Sequence, residues 1–338
     1  MTIPAACPSA ADVPVRYWMP DAPVLRGGDR LDGLRIAYRT IGDPAGDPVL
    51  LLHGTNGSGA SLLTPAFAGE LFGPGQPLDL RRHFVVLPDA LGAGGSSKPS
   101  DGLRARFPRY DYDDMVDLQH RLIVEHLGLA RLRLVLGYSM GGMHAWLWGV
   151  RHPSMMDALV PMAATPGPMS GRNWMMRRML CESIRRDPAW RDGDYVEQPP
   201  AFRLASLMYA VGTNFGEEAL ARRAPTRALA DGFVDERLAA PFEADANDHL
   251  WQWDASRSYD PTSGLERIEA SVLAINADDD ERNPPQLPAW AHAMRRLRDG
   301  RLLRIPAGEG TAGHATCADA RTWKDGFAEW FEAVPRRG

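Results

Sequence analysis

The pattern Gly137-Tyr138-Ser139-Met140-Gly141 sets a serine between glycines two residues before it and two after. An apolar run, Leu132 to Leu136, leads into it, and a helix-forming stretch beginning at Met140 leads out. On such a sharp strand-to-helix turn a serine stands clear of the sheet, and the glycines remove side chains that would collide there. The chemistry this favours is attack by the Ser139 hydroxyl on a carbonyl carbon. The oxygen that becomes negative needs hydrogen-bond donors, and the first is the Met140 N–H at the helix start.

A serine hydroxyl is a poor nucleophile near neutral pH. It needs a histidine base, which needs a carboxylate to fix its tautomer and orientation. In sheets that carry this turn the acid follows the serine and the histidine comes last. After Ser139 come His144, His152, His249, His292 and His314. The first two lie on or just beyond the helix of the turn, His249 falls in a long helical region, and His292 lies inside an expected helix. His314 alone occupies a small-residue loop, Gly310 to Ala315, after the last expected strand, and is the expected base.

The carboxylate belongs after the strand Val272 to Ile275, where Asp278, Asp279, Asp280 and Glu281 follow one another. If all four were buried they would repel one another, so the rest should face solvent or a basic partner such as Arg282. A calcium site would need spaced D-x-D-x-D-G ligands, which are absent, and no metal is expected. The second oxyanion donor should come from the loop His53 to Gly59, with the Thr55 N–H as first choice and the Asn56 N–H as second. His53 precedes the serine and reads as structural. The glycine-rich loops at 54–59 and 92–95 fit neither a dinucleotide fingerprint nor a P-loop, and no cofactor is implied.

Stepping outward, short apolar strands alternate with helices at both ends of the chain, the pattern of a mostly parallel sheet covered on both faces. Strands are expected at Leu34 to Ile41, Val49 to Leu52, Phe84 to Leu87, Leu132 to Leu136, Ala158 to Met162, Val272 to Ile275 and Leu302 to Ile305. Helical spacing marks Asp113 to Leu127, stopped by Gly128, and helices near Pro285 to Arg298 and Asp319 to Phe331 close the order. From 165 to 264 no comparable strand occurs. Helical pieces at Asn173 to Arg186, Ala201 to Val211, Glu217 to Arg223 and Asp235 to Phe242 read as a helical cap domain, inserted into a core of residues 1–164 and 265–338. Met162, Met169, Met175, Met176, Met179, Trp174, Trp190, Trp251 and Trp253 either line an apolar acyl or alcohol pocket or pack the cap onto the core.

Composition sets the remaining bounds. The 338 residues are 44% hydrophobic and 24% charged, and a net charge of −5 gives no overall attraction to nucleic acid or an anionic membrane. Cys7, Cys181 and Cys317 are far apart and too few for a disulfide scaffold, so buried or idle thiols are expected. Met1 to Pro14 lacks the basic and apolar regions of a secretion signal, and no run of about 18 apolar residues occurs. A soluble cytoplasmic protein is the expectation.

Several motifs together resemble the homoserine O-acetyltransferase branch of the α/β-hydrolase superfamily, from about Phe72 onward. They are Gly73-Pro74-Gly75, Leu78-Asp79, Phe84-Val85-Val86, Asp114-Met115-Val116, and the elbow Ser139-Met140-Gly141-Gly142-Met143. Cap motifs follow at Ile184 to Trp190, Gly193-Asp194-Tyr195 and Asp245-Ala246-Asn247. The family's acid loop, an Asp, three residues, then two prolines, is similar to Asp280-Glu281-Arg282-Asn283-Pro284-Pro285, and this register selects Asp280. Its Gly-His pair falls on Gly313-His314.

The resemblance implies an α/β-hydrolase fold, a Ser139-His314-Asp280 triad, and a homodimer through the cap. Three departures bear on activity. Family acetyltransferases follow the histidine with an aspartate for the substrate ammonium group, and here Ala315 stands there. Their H-A-L-T-G loop is replaced by His53-Gly54-Thr55-Asn56-Gly57, and a further loop by Pro88 to Pro99, which resembles the generic hydrolase D-x-x-G-x-G-x-S-x-x-P. Arg203 lies near the family's carboxylate-binding arginine, but that role is not carried over. The expected activity is hydrolysis of a small ester, an acetate ester in the simplest case. The alternatives are acyl-CoA-dependent transfer to an alcohol, and ligand binding without turnover.

Overall fold

Along each central strand, successive apolar side chains leave for opposite faces. Val49 and Leu51 enter one core layer while Leu50 and Leu52 enter the other, and Leu134 and Leu136 are divided in the same way from Val135. Strands buried on both faces read as continuous apolar runs, which is why the sequence exposed them. In the computed structural model, which describes residues 8–21 and 23–337, they form one eight-stranded sheet. Residues 1–7, which include Cys7 and half of the stretch Met1 to Pro14 read for a secretion signal, lie outside the described residues. No described helix is long and apolar enough to cross a membrane.

The strands are β1 (Arg16–Trp18), β2 (Ile36–Gly42), β3 (Asp47–Leu52), β4 (His83–Pro88), β5 (Leu132–Tyr138), β6 (Met156–Met162), β7 (Ser271–Ala277) and β8 (Gly300–Ile305), in spatial order β1-β2-β4-β3-β5-β6-β7-β8. β1 and β2 pair antiparallel, β2 pairs antiparallel with β4, and the other pairs are parallel. β1 went unread because only three residues pair and two of them are exposed.

The helices are α1 (Ala68–Leu71), α2 (Tyr112–Arg121), α3 (Met140–Arg151), α4 (Gly171–Arg185), α5 (Pro200–Thr213), α6 (Glu217–Arg223), α7 (Arg227–Ala239), α8 (Ala246–Asp254), α9 (Pro288–Arg296) and α10 (Lys324–Ala333). The stretch expected as one helix to Leu127 divides at Arg121 and continues as a π-turn over Leu122–His126, where the Leu127 N–H donates to the Leu122 carbonyl. Between β6 and β7 the insert carries α4 to α8.

Within it, the helix expected at Asp235 to Phe242 instead spans Arg227–Ala239, because the Thr226 side chain caps its start and Pro241 cannot continue it. The unread α8 begins where the Asp245 carboxylate accepts the N–H groups of Asn247 and Asn247's neighbour Asp248, at 2.9 and 3.0 Å. The family-like cap motifs meet at this point. Asn247 accepts from the Trp190 indole at 2.8 Å, donates its side-chain amide to the Gly193 carbonyl at 2.9 Å, and donates its backbone N–H to the Tyr195 hydroxyl at 3.1 Å. They clasp the insert shut rather than supplying chemistry.

Candidate active site

Ser139 joins the end of β5 to the start of α3 at φ 57° and ψ −111°. Its N–H donates to the Met162 carbonyl at 2.9 Å, its carbonyl accepts from Met143 N–H, and the Gly141 N–H donates to the His53 carbonyl at 3.0 Å. The flanking glycines are required by contact. A Cβ on Gly137 would lie 1.9 Å from the Gly141 carbonyl oxygen, and one on Gly141 would lie 2.1 Å from that of Leu52.

The structure brings Ser139, His314 and Asp280 into one chain of hydrogen bonds. Ser139 Oγ lies 2.8 Å from His314 Nε2, and His314 Nδ1 lies 3.0 Å from Asp280 Oδ2. All three side chains are buried. Burial pushes the His314 pKa below its ordinary 6.5, and the nearby Arg282 charge adds to this, against the opposing pull of Asp280. At neutral pH the imidazole is therefore neutral, with its proton on the nitrogen facing Asp280 and a lone pair facing the serine. Burial opposes the Asp280 charge, but His314 and the N–H groups of Asn283 and Arg282, at 3.0 and 2.8 Å, outweigh it and hold the pKa below the ordinary carboxylate value.

Asn283 is one of the three positions that the acid-loop pattern leaves unspecified, so its part in the site was not announced. Its side-chain amide donates to the Ala163 carbonyl at 2.8 Å and to Asp280 Oδ2 at 3.3 Å, tying the acid loop to the end of β6.

The acidic run is satisfied differently from the expectation. Asp278 alone meets a cation, Arg304, at 2.7 Å. Asp279 accepts from the Thr311 hydroxyl and the Gly313 N–H at 2.8 and 3.1 Å. Glu281 accepts from the N–H groups of Gly216 in the insert and of His314, at 2.5 and 3.2 Å. Arg282 pairs with none of them. Two carboxylates are thereby spent on the backbone around the histidine.

Met140, the first residue of α3, has no carbonyl one turn earlier in its helix to accept its N–H. In the other loop, Ala90 N–H donates to His53 Nε2 at 2.9 Å, so the imidazole proton sits on Nδ1 and reaches the Gly54 carbonyl at 2.7 Å. Gly57 N–H donates to the same carbonyl at 3.1 Å. Because that peptide is trans, the Thr55 N–H points away from these donors, and Thr55 lines the cavity over Ser139. The Asn56 N–H is already taken by Gln252 of α8 at 2.5 Å, which removes the second choice. Asp89 accepts from Gly59 and Gly95 N–H at 2.7 and 2.8 Å, so the glycine-rich loops cradle a carboxylate of the chain itself.

The cavity measures about 290 Å³. Of the methionines and tryptophans expected around an apolar pocket, only Trp253 lines it. Met175 and Met179 are exposed on the insert, and Met162 and Trp251 pack in the core. The wall is instead rich in polar groups, among them Ser206, Tyr209, Asn214, His249 and Arg282. His249 is neutral there, burial having pushed its pKa down to about 4. Arg203 lies elsewhere, its guanidinium on the Ala240 carbonyl and over the Phe242 ring. His144 and His152 belong to the core helix side, and His292 is exposed on α9. Cys181 and Cys317 are buried and unpaired.

A model of the alpha/beta hydrolase fold matches residues 47–293. A homoserine O-acetyltransferase of Trichormus variabilis is 33% identical over 302 residues, which are 80% of this chain and 81% of that one. A "Probable acyltransferase" of Methanothermobacter thermautotrophicus is 29% identical over 286 residues, covering 82% and 86%. Among solved structures, homoserine O-acetyltransferase from Bacillus anthracis superposes with a TM-score of 0.83 at 21% identity, covering 100% of both chains. An acetylester hydrolase from Corynebacterium glutamicum gives 0.80 at 22% identity, covering 95% and 96%. At these identities the structural matches speak for the fold alone.

The Gln252 contact makes the loop at 54–57 depend on the insert. Replacing Gln252 by Leu should cost about 1 kcal/mol in urea unfolding, the net worth of one hydrogen bond, and should speed amide exchange at residues 54–57. Unchanged exchange in that loop would show that other contacts hold it.

Proposed function

Since the chain belongs to the homoserine O-acetyltransferase-like family of the α/β-hydrolase fold, we propose that it is a serine carboxylesterase acting on small esters, acetates being the simplest. The observation that carries this reading is the unbroken line from Ser139 Oγ through His314 to Asp280 at the floor of a 290 Å³ cavity. Ser139 Oγ attacks the ester carbonyl as its proton passes to His314 Nε2. Asp280 keeps the imidazole oriented and stabilises its charge. The Met140 and Thr55 N–H groups receive the developing oxyanion, each donor contributing roughly 3 to 4 kcal/mol in comparable sites. The tetrahedral species collapses, the C–O bond to the alcohol breaks, and His314 returns the proton to the leaving oxygen. Water then attacks the acyl-serine, giving its proton to His314, and the acid departs as Ser139 is regenerated. No step calls for a cofactor.

Hydrolysis and transfer share the acyl-serine and differ in what resolves it. The curated relatives favour transfer. Against it stand Ala315 beside His314, whose methyl cannot hold an ammonium group, and Arg203, which is turned away from the cavity. Water is the acceptor that needs no such recognition. Assembly belongs to the same reading. Met175 and Met179 on α4, with Leu204 and Met208 on α5, leave apolar surface exposed on the insert, which supports a homodimer through the cap.

Ser139→Ala should lower hydrolysis of short p-nitrophenyl esters by at least about a thousandfold. With acetyl-CoA and a panel of hydroxy amino acids, transfer outrunning hydrolysis would reverse the ranking. Because the base titrates below 6.5, kcat/KM should hold level as the pH falls to that value and decline only beneath it. A limb centred above 6.5 would contradict the assignment of His314. In sedimentation, the wild-type chain should run as a dimer and the double variant Met179→Glu, Met208→Glu as a monomer. A monomeric wild type at micromolar concentration would dispose of the cap interface.

A further inference from the structure

Arg282 stands between two cavities. It lines the catalytic cavity above Ser139, and it also lines a second cavity of about 340 Å³, set between the acid loop and the residues that connect β6 to α4. Neutral groups of the insert hold it in place. Nε donates to the Thr213 carbonyl and hydroxyl at 3.0 and 3.2 Å, Nη2 donates to Asn214 Oδ1 at 2.9 Å, and the guanidinium carbon lies 4.6 Å from the centre of the Tyr209 ring. Thr213 and Asn214 close α5, so this one side chain reaches from the acid loop to the insert.

The two cavities favour different occupants. In the catalytic cavity the buried Thr55, Ser206 and Tyr209 hydroxyls and the Trp253 indole N–H have no hydrogen-bond partner within the protein, which favours polar groups there. No such orphaned atom lines the second cavity among the described residues. Its buried polar groups are spent on the chain itself: Thr165 Oγ1 accepts from Gly167 N–H at 3.3 Å, Asn173 Oδ1 from Arg177 Nε at 2.9 Å, and Glu281 from the N–H groups of Gly216 and His314 at 2.5 and 3.2 Å. Ser170 and Arg172 reach solvent. What remains is the apolar surface of Pro168, Met169, Pro284, Leu287 and Ala289, and Leu287 is left 47% exposed. A cavity of this size and lining fits an apolar chain.

Resting on the esterase reading above, we infer that the second cavity is a site for the alkyl chain of an ester, and that Arg282 is the wall that closes it off and so sets the chain length accepted. With the wall in place, only esters that fit within about 290 Å³ reach Ser139. Truncating the side chain joins the cavities. An alkyl chain is the same chemistry whether it belongs to the acid or to the alcohol of the ester, and the substrates below separate the two.

The test measures kcat/KM for ethyl acetate, ethyl hexanoate and hexyl acetate in the wild-type protein and in Arg282→Ala. Burial and, after it, the Arg282 charge lower the His314 pKa, so each comparison is a ratio to ethyl acetate at one pH. In the wild type both ratios should lie below about one tenth, since a site without room for the chain discriminates in kcat/KM. In Arg282→Ala one of them should rise by roughly fiftyfold, as burial of about three methylenes would give, and the ester that gains identifies the source of the chain. The double variant Arg282→Ala, Ala289→Phe refills the second cavity from its other wall, where a Cβ on Gly167 would lie 3.3 Å from the Ala289 methyl, and should return the ratio to that of the wild type. That return distinguishes joined cavities from a general loosening of the insert. A wild-type protein that turns over either six-carbon ester as well as ethyl acetate overturns this inference without any variant. So does a ratio unmoved in Arg282→Ala, or a gain that survives Ala289→Phe, and each of these leaves the esterase reading standing. Hydrolysis of none of the three esters by the wild type overturns both.

Discussion

Everything in the site depends on holding Ser139 in a backbone state that L-residues resist. At φ 57° and ψ −111° it carries strain on the order of 1 to 3 kcal/mol. That state persists because its surroundings leave no other. Ser139 N–H is fixed to the end of β6, its carbonyl to the first turn of α3, and Gly141 N–H to the end of β3. The neighbouring glycines allow backbone to approach where a Cβ would overlap carbonyl oxygens. The parallel order β3-β5-β6 therefore does more than bury apolar surface. It brings three strand ends to one point and aims the serine hydroxyl out from among them.

The second constraint is how to keep a buried histidine neutral yet ready. Four acids in sequence next to it favour its charged form. The fold resolves the conflict by giving each a different duty. Asp280 holds the ring, Asp279 and Glu281 hold the backbone of the loop that carries it, and Asp278 is neutralised by Arg304 outside. Glu281 also binds Gly216, so the insert and the histidine loop share one carboxylate. Gln252 joins the insert to the Thr55 loop in the same way. The helical insert thereby shapes both sides of the site as well as roofing it.

Much of this was legible in the residues. Apolar runs marked β3 to β7 because parallel strands buried on both faces have no polar face to interrupt them. The strand-turn-helix motif singled out Ser139, chain order and loop context singled out His314, and only the resemblance to the family's acid loop picked Asp280 from four acids. What could not be read was set by contacts distant in sequence. Gln252 meets Asn56 across 196 positions, and Asn283 meets Ala163 across 120. Neither has a local pattern. The Met- and Trp-rich composition of the insert misled for a related reason. Composition does not say which face of α4 looks inward, and Met175 and Met179 face out while Leu180 lines the cavity. Arg282 was read as a counter-ion from adjacency alone, whereas the turn after Asp280 sends it toward Thr213 and Asn214.

In the proposed reaction Ser139 takes an acyl group and hands it to water. Rapid-quench mass spectrometry of the protein mixed with a short acetate ester, followed by peptide mapping, tests it directly. Transient acetylation confined to Ser139 is expected, decaying at the rate of steady-state turnover with no alcohol or CoA present. An acetyl-serine that persists until an alcohol is added, or ester turnover with Ser139 never acylated, would contradict it.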